Sequence, residues 1–298
     1  MNSGKETTFR NFTAEQAKEY NASRGHQYPT RLYEHILAYH KAKSGQFKLA
    51  LDVGCGPGNA TRDLCVYFDR IIGLDGSPGM INTARDLIPA ELKEKLSFEN
   101  IPSEQLHETP GVEEGSVDMV TVATAAHWFD LPKFYASALK VLRPGGTIAI
   151  WAPGRPVLKP ETAHAAEINA LVEEFNTQLD PYRQAGGHLA RDMYAHLPLP
   201  WSVDPPVEGY DKASFERTVF SDAHGNSLGH AKFTLGQAER MYGSGSPIVR
   251  WREQHPDLAG TDEDIVKILF KKIRQLMGAN ELFEVDRVFG LLLWRKEL

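Results

Sequence analysis

The sequence predicts an α/β fold, a parallel sheet with helices on both faces and an inserted helical cap, on three observations. From about Leu49 to Pro153, short apolar runs alternate with segments of helical period. A glycine-rich turn, Gly54-Cys55-Gly56-Pro57-Gly58, separates the first such run from the first such helix. After Pro153 the texture changes to proline-rich stretches that bracket one amphipathic helix, as an insertion would.

The elements follow in order. Thr13 and Gln16 make a capping box that starts an N-terminal helix. Leu49 to Val53 is the first strand, and Ala60, Leu64 and Phe68 recur at i, i+4 and i+8 on the helix after the turn. Ile71 to Leu74 is the second strand. Ser77 then caps a helix with Pro78 in its first turn and Met80, Ile81, Ala84 and Leu87 on the buried face. Leu96 to Ile101 is the third strand. Val117 to Ala123, a run of β-branched and small residues, is a fourth covered on both faces. Asp130 caps a helix that carries Phe134, Tyr135, Ala138 and Leu142 inward until Pro144, Gly145 and Gly146 break it, and Thr147 to Trp151 is strand five. In the cap, Ile168, Leu171, Val172 and Phe175 share a helix face. The sheet resumes near Phe215 to Phe220, and Val285 to Trp294 reads as a strand pair or hairpin end. The boundaries implied are 1–48, 49–153 for the core, 154–212 for the cap, and 213–298 completing sheet and cap.

Composition narrows the function. The chain has 298 residues, 42% of them hydrophobic, enough for a full core. Its net charge of -6 lacks the basic excess that a nucleic-acid partner demands. No signal peptide and no membrane-spanning run are evident, so a soluble cytoplasmic protein without membrane partners is expected. Cys55 and Cys65 fit neither a metal set nor a redox pair and read as small packed residues; no metal site is expected.

The glycine turn sits at a strand end and opens a helix, where a ligand approaches backbone N–H groups. The dinucleotide fingerprint needs its third glycine at position 59, which is Asn59, while Gly58 falls one position early. The spacing argues against a diphosphate. Asp52, just before the turn, suits an ammonium group, so Asp52, Gly54, Gly56 and Gly58 point to a cationic amino-acid cofactor. Asp75, nineteen residues after Gly56, stands where an acidic residue accepts hydrogen bonds from ribose hydroxyls. Ser103 and Glu104 fall where a loop flanks an adenine; an ordinary polar loop is the alternative.

These residues resemble the motifs of class I S-adenosylmethionine-dependent methyltransferases. Gly73-Leu74-Asp75-Gly76-Ser77, Ser116-Val117-Asp118-Met119-Val120, Ala126-His127-Trp128-Phe129 and Val141-Leu142-Arg143-Pro144-Gly145-Gly146 match that family in order, over about residues 49 to 151. His127-Trp128, with Tyr20, Arg24, Tyr28 and Pro29, resembles the trans-aconitate methyltransferase-like branch, which includes fungal small-molecule and dithiol-toxin methyltransferases. Gly25-His26-Gln27 departs from it, standing where an Arg-Pro pair often precedes the Tyr-Pro. The resemblance implies a Rossmann-like seven-stranded sheet, S-adenosyl-L-methionine as cofactor, N-terminal helices covering it through Tyr20 and Arg24, and Ala123 beside it.

Methyl transfer from a sulfonium is an in-line displacement that positioning alone accelerates. A carboxylate acceptor is already ionised, a thiol needs modest help, and a phenol or alcohol needs a base. His127 is the candidate base, with a structurally packed histidine as the alternative; Trp128 and Phe129 belong either to the acceptor pocket or to the core. The cap aromatics Tyr182, His188, Tyr194, Trp201, Tyr242 and Trp251 suit a planar or apolar metabolite. An arginine such as Arg155, Arg183 or Arg191 facing the pocket would instead indicate an acidic one. The reading is therefore small-molecule methylation, on a carboxylate or on a thiol or hydroxyl. An RNA or protein methyltransferase and a non-catalytic cofactor-binding protein are the alternatives.

Overall fold

The computed structural model of the chain describes residues 13–24, 28–43, 45–278 and 282–298. Helices α1 (Ala14–Arg24) and α2 (Thr30–Lys41) come first. The capping box is present: Thr13 Oγ1 accepts the Gln16 amide at 3.2 Å and Gln16 Oε1 accepts the Thr13 amide at 2.9 Å. Then follow β1 (Leu49–Val53), α3 (Asn59–Leu64), β2 (Arg70–Leu74) and α4 (Pro78–Asp86). After them come β3 (Leu96–Glu99), β4 (Val117–Ala123), α5 (Leu131–Val141) and β5 (Leu142–Pro153). Ser77 and Asp130 cap α4 and α5 as expected, accepting from the Met80 and Lys133 amides.

Three local expectations change. α3 ends at Leu64, short of Phe68, although Phe68 is still buried. Leu87 is 39% exposed, because it follows the last turn of α4 and no longer shares its buried face. Pro144, Gly145 and Gly146 do not separate helix from strand. They form a bulge inside β5, where the register against β4 jumps from Val117↔Leu142 to Met119↔Thr147 and Gly145 adopts a φ of 73°.

Beyond β5 the chain forms β6 (Val157–Leu158), α6 (Ala165–Gln178), α7 (Ala185–Arg191) and β7 (Tyr210–Phe220). It then makes β8 (His230–Thr234), α8 (Leu235–Gly243), α9 (Ser246–Gln254), α10 (Ile265–Met277), β9 (Leu282–Asp286) and β10 (Phe289–Lys296). The main sheet has seven strands in the order β3-β2-β1-β4-β5-β10-β7, parallel from β3 to β5, with β10 antiparallel to both its neighbours. This is the α/β Rossmann-like sheet expected. β9 and β10 are not a hairpin: β9 belongs to a second sheet, β6-β9-β8.

Period-two alternation divides β1 between two cores. Leu49, Leu51 and Val53 join one with Phe134, Tyr135 and Trp294, while Ala50 joins the other with Ile36, Ile81 and Trp151. A third core gathers Ile168, Phe175, Phe233, Ile248, Leu269, Phe270 and Val285. The cap lobe is thus built from β6, α6 and the stretch 230–286, whereas Tyr194, Leu197 and Val203 pack into the main core. Cys55 and Cys65 are buried free thiols. Among the described residues, no helix is long and apolar enough to cross a membrane.

Candidate active site

The turn after β1 holds Gly54, Gly56 and Gly58 at φ of 67°, 53° and 84°, a region that favours glycine. The three differ in what surrounds them. A Cβ on Gly54 would lie 2.4 Å from Ala125 Cβ, and one on Gly58 would lie 2.4 Å from the Phe98 ring. Gly56 has nothing within 4 Å: its missing side chain leaves open space. The turn is tied to the next strand end. Gly54 and Cys55 amides donate to Leu74 O, and Asp75 Oδ2 accepts from the Gly56 amide at 2.9 Å while Oδ1 accepts from Ser77 at 2.8 Å.

These residues line one wall of a cavity of about 480 Å³, within the usual range for small-molecule sites. Gly54, Gly56, Asp75, Ser103, Glu104 and Ala123 all border it, as does Tyr20 from α1. Ser103 is buried and donates to Glu104 Oε1 at 3.0 Å, which also accepts the Asp130 amide at 3.2 Å. Gly58 is not on the lining; its glycine serves packing against Phe98. Arg24 ends α1, but its side chain, like Gly25-His26-Gln27, lies outside the described residues.

Asp52 departs from its expected role. It is fully buried and off the cavity wall, with Thr61 Oγ1 donating to Oδ2 at 2.6 Å and Thr121 Oγ1 to Oδ1 at 2.9 Å. Burial pushes its carboxyl up to about 6, against the opposing pull of those two hydroxyls. Asp52 braces β1 to α3 and β4 and does not present a carboxylate to a ligand.

His127 and Trp128, in the 3-10 turn Ala126–Trp128 after β4, and Phe129, which follows it, all border the cavity. Phe129 also packs its ring, tilted at 54°, 5.0 Å from that of Phe134 in the core, so the pocket and core readings both hold for it. His127 Nδ1 lies 2.9 Å from Tyr194 Oη. Burial pushes the His127 imidazole down to about 3, so it is neutral near pH 7 and a weak proton acceptor. Helix α7 presses on this turn, since a Cβ on Gly186 would sit 2.1 Å from His127 O.

The cap closes the far side. Arg155, Arg183 and Arg191 line it, whereas of the six cap aromatics only Tyr242 does. The arginines share two carboxylates. Arg155 pairs with Glu173, Arg191 lies 3.2 Å from Glu173 and 2.9 Å from Asp180, and Arg183 lies 3.1 Å from Asp180. Thr124, which sequence reasoning missed, follows β4 on the lining at a φ of 61°, with Tyr28 Oη 3.2 Å from its Oγ1. A β-branched residue at positive φ is a strained placement that composition does not signal.

The donor set fits an adenosyl-amino-acid cofactor on this structure's own terms. The open face of Gly56 lets a ligand meet the backbone, the Asp75 carboxylate is anchored beside it, and Ser103 and Glu104 extend the same wall. Comparison with known proteins agrees. The methyltransferase-domain family matches residues 51–150. The protein named probable S-adenosylmethionine-dependent methyltransferase CRG1, of Saccharomyces cerevisiae, is 27% identical over 264 residues, 86% of each chain. Methyltransferase ptaI of Pestalotiopsis fici is 31% identical over 155 residues, which are 49% of this chain but only 44% of that protein. A structure described as a type II methyltransferase from Anaeromyxobacter dehalogenans shares the fold at a TM-score of 0.63 and 21% identity, covering 91% of this chain and 97% of the other. The chain is an S-adenosylmethionine-dependent methyltransferase, with S-adenosylmethionine as its cofactor.

Proposed function

We propose that this methyltransferase esterifies a carboxylate of a small anionic metabolite, within the trans-aconitate methyltransferase-like branch. One observation carries the reading: across the cavity from the glycine turn, three guanidinium groups are set against only two carboxylates, Glu173 and Asp180. Guanidinium forks bind carboxylates bidentately, and a net positive wall draws an anionic acceptor.

The cofactor, when bound, supplies an electrophilic methyl group. The chain's own residues do the rest by placement. Arg183 just before α7 and Arg191 at its end would hold the acceptor, and Trp128, Phe175 and Leu179 on the lining would keep water from it. His127 remains an uncharged wall residue, because a carboxylate needs no base and an imidazole this weak is a poor one. A thiol or hydroxyl acceptor would lack that assistance.

The test is methyl transfer from labelled cofactor to a panel of mono-, di- and tricarboxylates, thiols and phenols. A base-labile methyl ester is the expected product. Arg191→Gln should raise KM for the carboxylate about tenfold or more, the weight of one charge-assisted hydrogen bond. Preference for a thiol or phenol with no ester formed would overturn the assignment.

A further inference from the structure

We propose that Asp222, His230 and Asp286 form a site for a divalent transition metal of the zinc type, fastening the cap's small sheet to the edge of the main one. One ligating atom from each of the three lies within 4.8 Å of the other two. Asp222 opens the turn that follows β7, His230 begins β8 and Asp286 ends β9. His230 and Asp286 are direct partners in the β8–β9 ladder, so their side chains stand on one face. The Asp222 amide donates to Asp286 Oδ2 at 2.8 Å and draws the third residue in.

Two further observations point to a cation beyond a simple ion pair. Asp286 is 8% exposed, and its Oδ1 accepts no hydrogen bond among the described residues. A buried carboxylate oxygen left without a donor is costly, and a bound cation removes that cost. His230 also stands between two carboxylates, as a metal-bound imidazole does. Its Nε2 faces Asp222 Oδ2 at 2.6 Å, and its Nδ1 faces Glu284 Oε1 at 3.7 Å, the place of the outer carboxylate that orients such a ring. Lys159, 3.3 Å from Glu284, offsets one of these three carboxylates and leaves the cluster negative.

A mixed imidazole and carboxylate set suits zinc and its neighbours better than calcium or magnesium. Metal bonds of about 2.0–2.2 Å put tetrahedral ligand atoms roughly 3.3 Å apart, which rotation of the exposed Asp222 side chain can reach, with water as the fourth ligand. None of the three residues borders the cavity, so the role is structural. The site sits where the sheets share chain: Phe220, two residues before Asp222, pairs with Phe289, three after Asp286.

The experiment uses the untagged full chain, stripped with chelator, titrated with zinc alone by calorimetry and followed by thermal unfolding. One zinc per chain and a raised Tm are expected. Asp286→Asn and His230→Gln should weaken binding by more than the roughly tenfold that an outer-shell change costs, while S-adenosylhomocysteine affinity stays at the wild-type value. Asp222→Asn alters an exposed side chain and reports even where the variant at buried Asp286 does not fold. Absence of saturable zinc binding in the wild type, or equal affinity in Asp222→Asn, overturns the proposal.

Discussion

At the residue scale, glycines that look equivalent in the sequence separate into two kinds. Gly56 leaves space for a ligand and Gly58 leaves space for Phe98. Both carry positive φ, so a side chain strains either, but only at Gly58 does it also overpack the core, at a further cost of about 1–3 kcal/mol. Gly58→Val should therefore melt several degrees below Gly56→Val, while Gly56→Val should lose more than about tenfold in S-adenosylhomocysteine affinity. Calorimetry and thermal denaturation of the pair decide it; equal melting with unimpaired binding would refute the division. His127 makes a second prediction. Its folded imidazole titrates near 3 against an ordinary 6.5. As pH falls from 6.5 toward 3, the unfolded chain takes up a proton that the folded chain refuses, and stability drops by up to about 1.4 kcal/mol per pH unit. Asp52, raised to about 6, acts in the opposite direction between 6 and its ordinary 3.8, but does so equally in a His127→Gln variant. The variant's Tm should thus decline less steeply on acidification than the wild type's. Parallel Tm curves would place the imidazole in contact with water.

At the element scale, α7 rests on the His127 turn through Gly186. Gly186→Ala should push the helix and its Arg191 off their position, lowering kcat roughly tenfold to a hundredfold for the acceptor, with S-adenosylhomocysteine affinity within about twofold. A fall in cofactor affinity instead would show that the turn also shapes the glycine loop. The strands and helices from β1 to β5 were legible because each carries its own period and punctuation, as Ser77-Pro78 and Asp130 do for α4 and α5. β9 and β10 were not separable, since only Arg287 and Val288 lie between them and Val285 to Trp294 is mostly apolar, so only tertiary pairing sends them to different sheets. Asp52 was misread for a similar reason. A carboxylate beside a glycine turn looks available until the two threonine hydroxyls that surround it are located on α3 and β4. The cap arginines could be named from the sequence, but the direction they face depends on how α6 and α7 pack.

At the scale of the whole molecule, the cap lobe has a core of its own, distinct from the two that flank the main sheet. Hydrogen exchange should be slowest in β1, β4 and β5, buried on both faces, and measurably faster in α8 to α10. Indistinguishable protection would mean that the lobe and the sheet open as one unit. The strand order carries one further consequence, for synthesis. β7 touches the main sheet only through β10, and some seventy residues, the stretch 221–288, are made between them. A ribosome halted within that stretch holds five parallel strands whose β5 margin is bare and a β7 with no neighbour to join. Until residues 289–296 emerge, the nascent chain displays an unprotected ladder, which makes it a client for a chaperone and a hazard in crowded translation.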